Sequence, residues 1–487
     1  MKKFLLLLPL TLIITGFFQP LYAIEIKNFQ EPGMTSIELN GAGLSAMWTL
    51  PFLGMILSIA ILPLLFPKFW GKHYGTISFG WAAITLIGLA IKLNFSISMH
   101  ALVVVLFEQY FPFIFLLLSL FTIAGGINLK GDLVGNPRLN TFILLIGALL
   151  ASWLGTTGAA ILLIRPLISA NSWRTHRVHT IIFFIFIVAN IAGSLTPIGN
   201  PPLLMGFISK VPFFWPLSRL ITPTLISCLI LLAVYFMIDS YLYKKEKIRP
   251  ESKSKKSLSL SGGWNFLLLI GVISAVLISS QDLGTAFTFM QVPMPTGELI
   301  EILAMIAITL ISIKITRKET REANLFTWHP IIEVGKIFAA IFICMAPLIA
   351  MLRAGADGPL KFVIDSLSAN GHPINYMYYW LSGTLSAFLD SAPAYLVFFH
   401  TAAAPAAALG MAPHTFMTDI MPTTLIAITM GASFMGAITY IGNAPNMMIQ
   451  AIAEDDGIKM PSFFGYMVWS VCILVPLFIL MQFLYIV

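Results

Sequence analysis

Five residues, Ile-Gly-Asn-Pro-Pro at 198–202, return as Ile-Gly-Asn-Ala-Pro at 441–445, each time inside a long apolar run. Glycine, asparagine and proline break a helix, and in hydrocarbon a broken backbone finds no water to satisfy it. Such breaks are tolerated at membrane depth only where protein or a water-filled cavity surrounds them. Two of them at corresponding places in two halves of a chain mark the region where a transporter holds its cargo.

The rest of the chain agrees with a membrane setting. Of 487 residues, 58% are hydrophobic and only 10% charged, against about 25% charged in a soluble domain. The formal charge of +7 sits in short loops beside apolar segments, so it speaks for membrane orientation and not for nucleic acid. The three cysteines (Cys228, Cys344, Cys472) lie in apolar segments without metal-ligand spacing. Residues 1–23 read as a signal peptide: Lys2 and Lys3 precede an apolar stretch, and Leu21, Tyr22 and Ala23 offer a cleavage site. Residues 24–43 are then extracytoplasmic, and the expected location is a bacterial inner membrane.

Apolar runs long enough for about 30 Å of hydrocarbon cover 44–66, 76–93, 108–127, 178–195, 217–243, 264–280, 297–313, 336–351, 420–440 and 466–487. Two further stretches, 139–167 and 376–404, carry small, hydroxyl and proline residues near their centres and are predicted to be re-entrant hairpins. Lys68, Lys72, Lys130 and Arg138, seven basic residues within 244–256 and four within 314–321 mark one side, whereas 281–296 has none. That side is the cytoplasm if the first span runs inward. The basic linker 244–261 then separates a first repeat, 44–243, from a second of opposite orientation, 262–487. The expected fold is an all-α polytopic membrane protein of two inverted-topology repeats, whose hairpins and broken helices meet near the bilayer midplane.

Each break has a predictable chemistry. Gly199 and Gly442 permit a positive φ where a helix ends. Pro201, Pro202 and Pro445 cannot continue the old ladder and are suited to begin a new half-helix. Carbonyls freed there, with the amide oxygens of Asn200 and Asn443, would make an oxygen cage for a dehydrated monovalent cation. A surface turn is the ordinary reading of Gly-Asn-Pro, and two apolar contexts weigh against it here. Asp390 is the sharpest single residue, a carboxylate far from any charged loop; such a group is functional by default because burying it costs several kcal/mol. It can hold a cation, take up a proton, or cap the helix that Pro393 begins. Thr156, Thr157 and Ser391 supply hydroxyls at equivalent places, and Asn446 a further amide. A Na⁺ site at Asp390, Asn443 and Thr156 is the specific expectation. Asp239, Glu108, Glu333 and Asp419 sit near span ends and read as water- or headgroup-facing, as do His176, Arg177 and His179.

At these residues the chain resembles the ion transporter superfamily, which includes D-type bacterial sodium/proton antiporters, arsenite permeases, citrate transporters and sodium-coupled dicarboxylate symporters. The resemblance covers 44–487 and looks closest to bacterial citrate-transporter-like and sodium:proton antiporter proteins. It rests on Thr196 to Pro202, Phe388 to Pro393 and Tyr440 to Asn446. Antiporter members show Asp-Asn-x-Pro in the second hairpin; Asp390 and Pro393 match it while Ser391 replaces the amide. The resemblance implies an acidic residue where this chain has Asn200.

The first functional reading is exchange of Na⁺ or Li⁺ for H⁺ by alternating access, with Asp390 the shared site. The alternative is Na⁺- or H⁺-coupled transport of citrate or another organic acid. A charged Asp390 beside such an anion would oppose it by about 4 kcal/mol at 4 Å and an effective dielectric near 20. Neither reading needs a cofactor beyond the transported or coupling ions. Partners are the bilayer, a small cation and, in the second reading, a small organic anion; a homodimer is compatible with both. The chain has no phosphate loop and no hydrolase motif that would make it an ATP-driven pump or an enzyme.

Overall fold

The computed structural model describes residues 39–131, 133–246, 259–324, 326–369 and 372–486. The expected signal peptide and most of the basic linker lie outside them. The described residues form helices almost throughout: α1 (Leu50–Leu65), α2 (Pro67–Lys92), α3 (Phe95–Val104), α4 (Phe111–Ala124), α5 (Pro137–Leu154), α6 (Thr156–Ala170), α7 (Val178–Ile187), α8 (Pro201–Ile208) and α9 (Trp215–Lys244). After the linker come α10 (Trp264–Ser279), α11 (Thr296–Ile315), α12 (His329–Arg353), α13 (Asn375–Leu389), α14 (Ser391–Ala402), α15 (Pro422–Phe434), α16 (Ala444–Asp455) and α17 (Phe463–Tyr485). Among the described residues, eight helices are long and apolar enough to cross a membrane. This is an all-α polytopic membrane protein.

Local chemistry sets the helix ends. Asn94, Asn136 and Ser462 accept amide hydrogens at the starts of α3, α5 and α17, and proline opens α2, α5 and α8 where its missing N–H costs nothing. At the two stretches predicted to be hairpins the chain forms pairs of packed helices, α5 with α6 and α13 with α14, each pair separated by one residue. In lipid the close approach of helices relies on small residues. A side chain at Gly431 on α15 would lie 2.3 Å from the Tyr379 carbonyl oxygen of α13, so only glycine allows that contact. Among the described residues, three two-stranded antiparallel ribbons complete the fold, one of which pairs Asn128–Lys130 with Ser259–Ser261.

Arg321, expected in a solvated basic loop, instead ties two helix ends together. Its guanidinium donates to the carbonyls of Thr122 (2.9 Å) and Ser312 (3.0 Å) at the ends of α4 and α11, where positive charge meets the helix dipoles. Burial brings its pKa down to about 10.

A second correction concerns Asp239 and His179, both read as lying at a span end. Asp239 and Arg174 have fully buried side chains 2.5 Å apart. His179 Nε2 lies 2.8 Å from the same carboxylate, and Asn140 and Tyr235 donate to its other oxygen. Asn140 and Asn171 exchange a reciprocal pair of amide hydrogen bonds beside it. Interior packing won over nearness to a span end, because α5, α7, α9 and the turn after α6 each supply one partner. Next to this cluster Glu246 accepts the amide hydrogens of Thr175 and His176. Burial alone would raise its pKa, but those hydrogen bonds hold it below the ordinary glutamate range.

Candidate functional site

The two hairpin tips share one backbone conformation. Gly155 has φ 75° and ψ 150°, and Asp390 has φ 86° and ψ 141°. Glycine adopts this region freely; aspartate there is strained by about 1–3 kcal/mol. The broken segments match as well. The Thr196 hydroxyl donates to the Ser152 carbonyl of α5, and the Thr439 hydroxyl donates to the Ala387 carbonyl of α13. Asn200 and Asn443 are both extended (φ −146° and −154°) and immediately precede α8 and α16.

Gly199 and Gly442 are not the left-handed residues expected of them; the positive φ falls on the hairpin tips instead. They are glycines for lack of space. A Cβ on Gly199 would lie 2.2 Å from the Gly193 carbonyl oxygen, and one on Gly442 2.6 Å from that of Gly436. Each break thus folds tightly on itself and onto the facing hairpin.

A cavity of about 140 Å³ opens at the first of these tips. Thr156, Thr157, Gly199, Asn200, Pro201 and Pro445 line it, together with apolar residues of α4 and α12. No acidic or basic residue lines it. The N-terminal ends of α6, α8 and α16 all reach this space, bringing the positive ends of three helix dipoles to one uncharged cavity. The Asn200 side chain is 2% exposed, and both its amide atoms lack a hydrogen-bond partner among the described residues. A buried carboxamide with nothing to bond is costly; a ligand in the cavity would satisfy it.

The second break is closed. Asn443 donates to the Ala189 carbonyl (2.9 Å) and to Asn190 Oδ1 (3.2 Å). Asn190 donates to Asn446 Oδ1 at 2.8 Å, and Asn446 donates to the carbonyls of Gly436 and Thr439. The Tyr466 and Ser470 hydroxyls take up those of Ala437 and Ile438. The carbonyls expected to form a cation cage here are hydrogen-bonded to side chains. Asn190 was missed from the sequence; the signal was an amide ending the apolar run 178–195.

Asp390 does not line the 140 Å³ cavity, nor do Ser391, Pro393, Pro202, Gly442, Asn443 and Asn446. Asp390 Oδ1 accepts the Ala392 amide and the Ser391 hydroxyl at 3.4 Å each, capping α14. Pro393 is buried in the first turn of that helix, and Pro202 in the first turn of α8. Of the expected Na⁺ ligands, Thr156 lines the cavity while Asp390 and Asn443 do not.

A protein-family model described as "Putative citrate transport" matches residues 41–486. The chain belongs to that family. Membership over this length, with the helical membrane fold, makes the protein a secondary transporter of the citrate-transport family. No curated protein matches the sequence.

Proposed function

We propose that this citrate-transport family member moves a small carboxylate anion across the bacterial inner membrane by alternating access, coupled to H⁺ or Na⁺. The observation that carries the proposal is the convergence of three helix N-termini and the unpartnered Asn200 amide on a cavity without acidic lining. Helix N-termini attract carboxylates. The repulsion that a carboxylate at 4 Å would bring is absent because Asp390 lies outside this lining. The family description supports the same substrate class.

Uptake of radiolabelled citrate by sealed vesicles under imposed pH and Na⁺ gradients tests this. Gradient-driven accumulation that Asn200→Ala abolishes is the expected result. Cation/proton exchange stays the second reading because Asp390 is a carboxylate held in a strained positive-φ conformation at a helix start. It takes precedence if Na⁺ or Li⁺ dissipates a pH gradient without citrate, and Asp390→Asn stops it.

A further inference from the structure

A carboxylate anion uses only half of what Asn200 offers. Its side chain is 2% exposed and lines the 140 Å³ cavity, and both Oδ1 and Nδ2 lack a partner among the described residues. An ionised carboxylate can only accept hydrogen bonds. It satisfies Nδ2 and leaves Oδ1 facing another acceptor. A protonated carboxyl both donates and accepts: its O–H meets Oδ1 while its C=O takes a hydrogen from Nδ2. The buried carboxamide therefore matches the acid form at both atoms and the anion at one.

The place for an anion is elsewhere in the same cavity. α8 begins with Pro201 and Pro202, which carry no N–H, and the amides of Leu203 and Leu204 both donate to the Asn200 carbonyl (3.1 and 3.2 Å). In the first turn of α16, Pro445 has no N–H and the Asn446 amide donates to the Asn443 carbonyl at 3.0 Å. At α6 the Thr156 amide donates to the Gly199 carbonyl at 2.9 Å. The next two, of Thr157 and Gly158, have no acceptor among the described residues, and both residues line the cavity. Two adjacent free N–H groups at a helix start hold one carboxylate.

The remaining wall limits the charge. Leu120, Phe121, Ile331, Val334 and Met448 close the cavity from α4, α12 and α16. A carboxyl set against such a surface without a partner gives up its charge and binds protonated. The three dipole ends, roughly +0.5 charge each, fall short of two negative charges. No titratable side chain lines the cavity from any of its elements, so the protein has no group there to carry a coupling proton.

We infer that the cargo carries it: this cavity binds a di- or tricarboxylic acid in singly charged form, with one ionised carboxyl at Thr157 and Gly158 and one protonated carboxyl on Asn200. The inference rests on the carboxylate-transport reading above and adds that the coupling ion is H⁺, delivered on the solute. A third carboxyl, as in citrate, meets the apolar wall and is protonated as well.

The test is equilibrium binding of radiolabelled succinate, citrate and succinamate (the monoamide of succinic acid) to the full chain in lipid nanodiscs. It is run at about pH 5.5 and about pH 7.5, both above the ordinary carboxyl pKa of about 4, where the acid form falls roughly tenfold per unit. A carboxamide offers the donor and acceptor of a protonated carboxyl at either pH, so succinamate reports titration of the protein alone. The two acids should bind about tenfold or more tightly at the lower pH, with succinamate unchanged, and this comparison needs no variant to fold. Asn200→Ala should weaken all three at the lower pH by about tenfold or more, because each loses a paired donor and acceptor. Acids whose affinity is the same at both pH values overturn the protonated carboxyl and leave carboxylate transport standing. So does succinamate that fails to bind where the acids bind, or that follows them with pH. Absence of binding by both acids at both pH values overturns the carboxylate reading and this inference together.

Discussion

Asp390 stands where the first hairpin has Gly155, in the same positive-φ conformation, and its carboxylate caps α14 from there. A carboxylate has replaced the one residue type that takes this backbone without strain. Asp390→Gly should therefore stabilise the fold, since relief of about 1–3 kcal/mol of strain exceeds the few tenths lost when glycine replaces an Asp cap. The same variant should lose ion-coupled transport. Thermal melting in detergent, read beside vesicle uptake, checks both halves; a lower melting temperature would mean that the conformation is not strained.

Asn200 and Asn443 occupy matching positions with opposite consequences. Asn443→Ala leaves Asn190 and the Ala189 carbonyl short of a partner and should cost about 1–3 kcal/mol of stability. Asn200→Ala removes a group that has no partner, so stability should hold or rise while substrate binding falls. Denaturation midpoints and citrate binding measured on both variants separate the two roles.

The buried Asp239 cluster predicts strong coupling. Asp239→Asn leaves the buried Arg174 cation facing only the more distant Glu246 carboxylate at 4.0 Å, and should destabilise by about 3–5 kcal/mol. Combining Arg174→Met with Asp239→Leu should recover much of that loss, whereas two independent positions would add. Melting curves of the two singles and the double complete the cycle.

Glu246 gives a pH signature. Its folded pKa is depressed, so its contribution is present above the unfolded value of about 4.3 and is lost as pH falls through the lower folded value. The protection factors of the Thr175 and His176 amides against hydrogen exchange should fall through that acidic range in wild type. Glu246→Gln should exchange faster already at neutral pH and lack the acidic step.

Much of this was legible in the sequence for one reason: lipid forbids unsatisfied backbone, so Gly-Asn-Pro in an apolar run had to mark a break inside the protein. The hairpins at 155 and 390 followed from the same logic. What Gly199 and Gly442 do there was not legible. A glycine that turns and a glycine that leaves room look identical in sequence, and only the carbonyls of Gly193 and Gly436 distinguish them. The Arg174–Asp239 pair was hidden because it joins segments that only tertiary packing brings together. Asn190 was overlooked because no proline flags it, although it holds the second break shut. The cavity of about 280 Å³ around Lys210, Glu298 and His400 draws on six separate stretches of chain, none distinctive alone.

The ribbon between Asn128–Lys130 and Ser259–Ser261 stitches the strand after α4 to the strand before α10. Since it joins the chain on either side of the first hairpin, the first break and α9, everything between those strands forms a loop tethered at its own base. That loop meets the second half again at its far end, where Lys210 pairs with Glu298 of α11, so it is held at both its base and its tip.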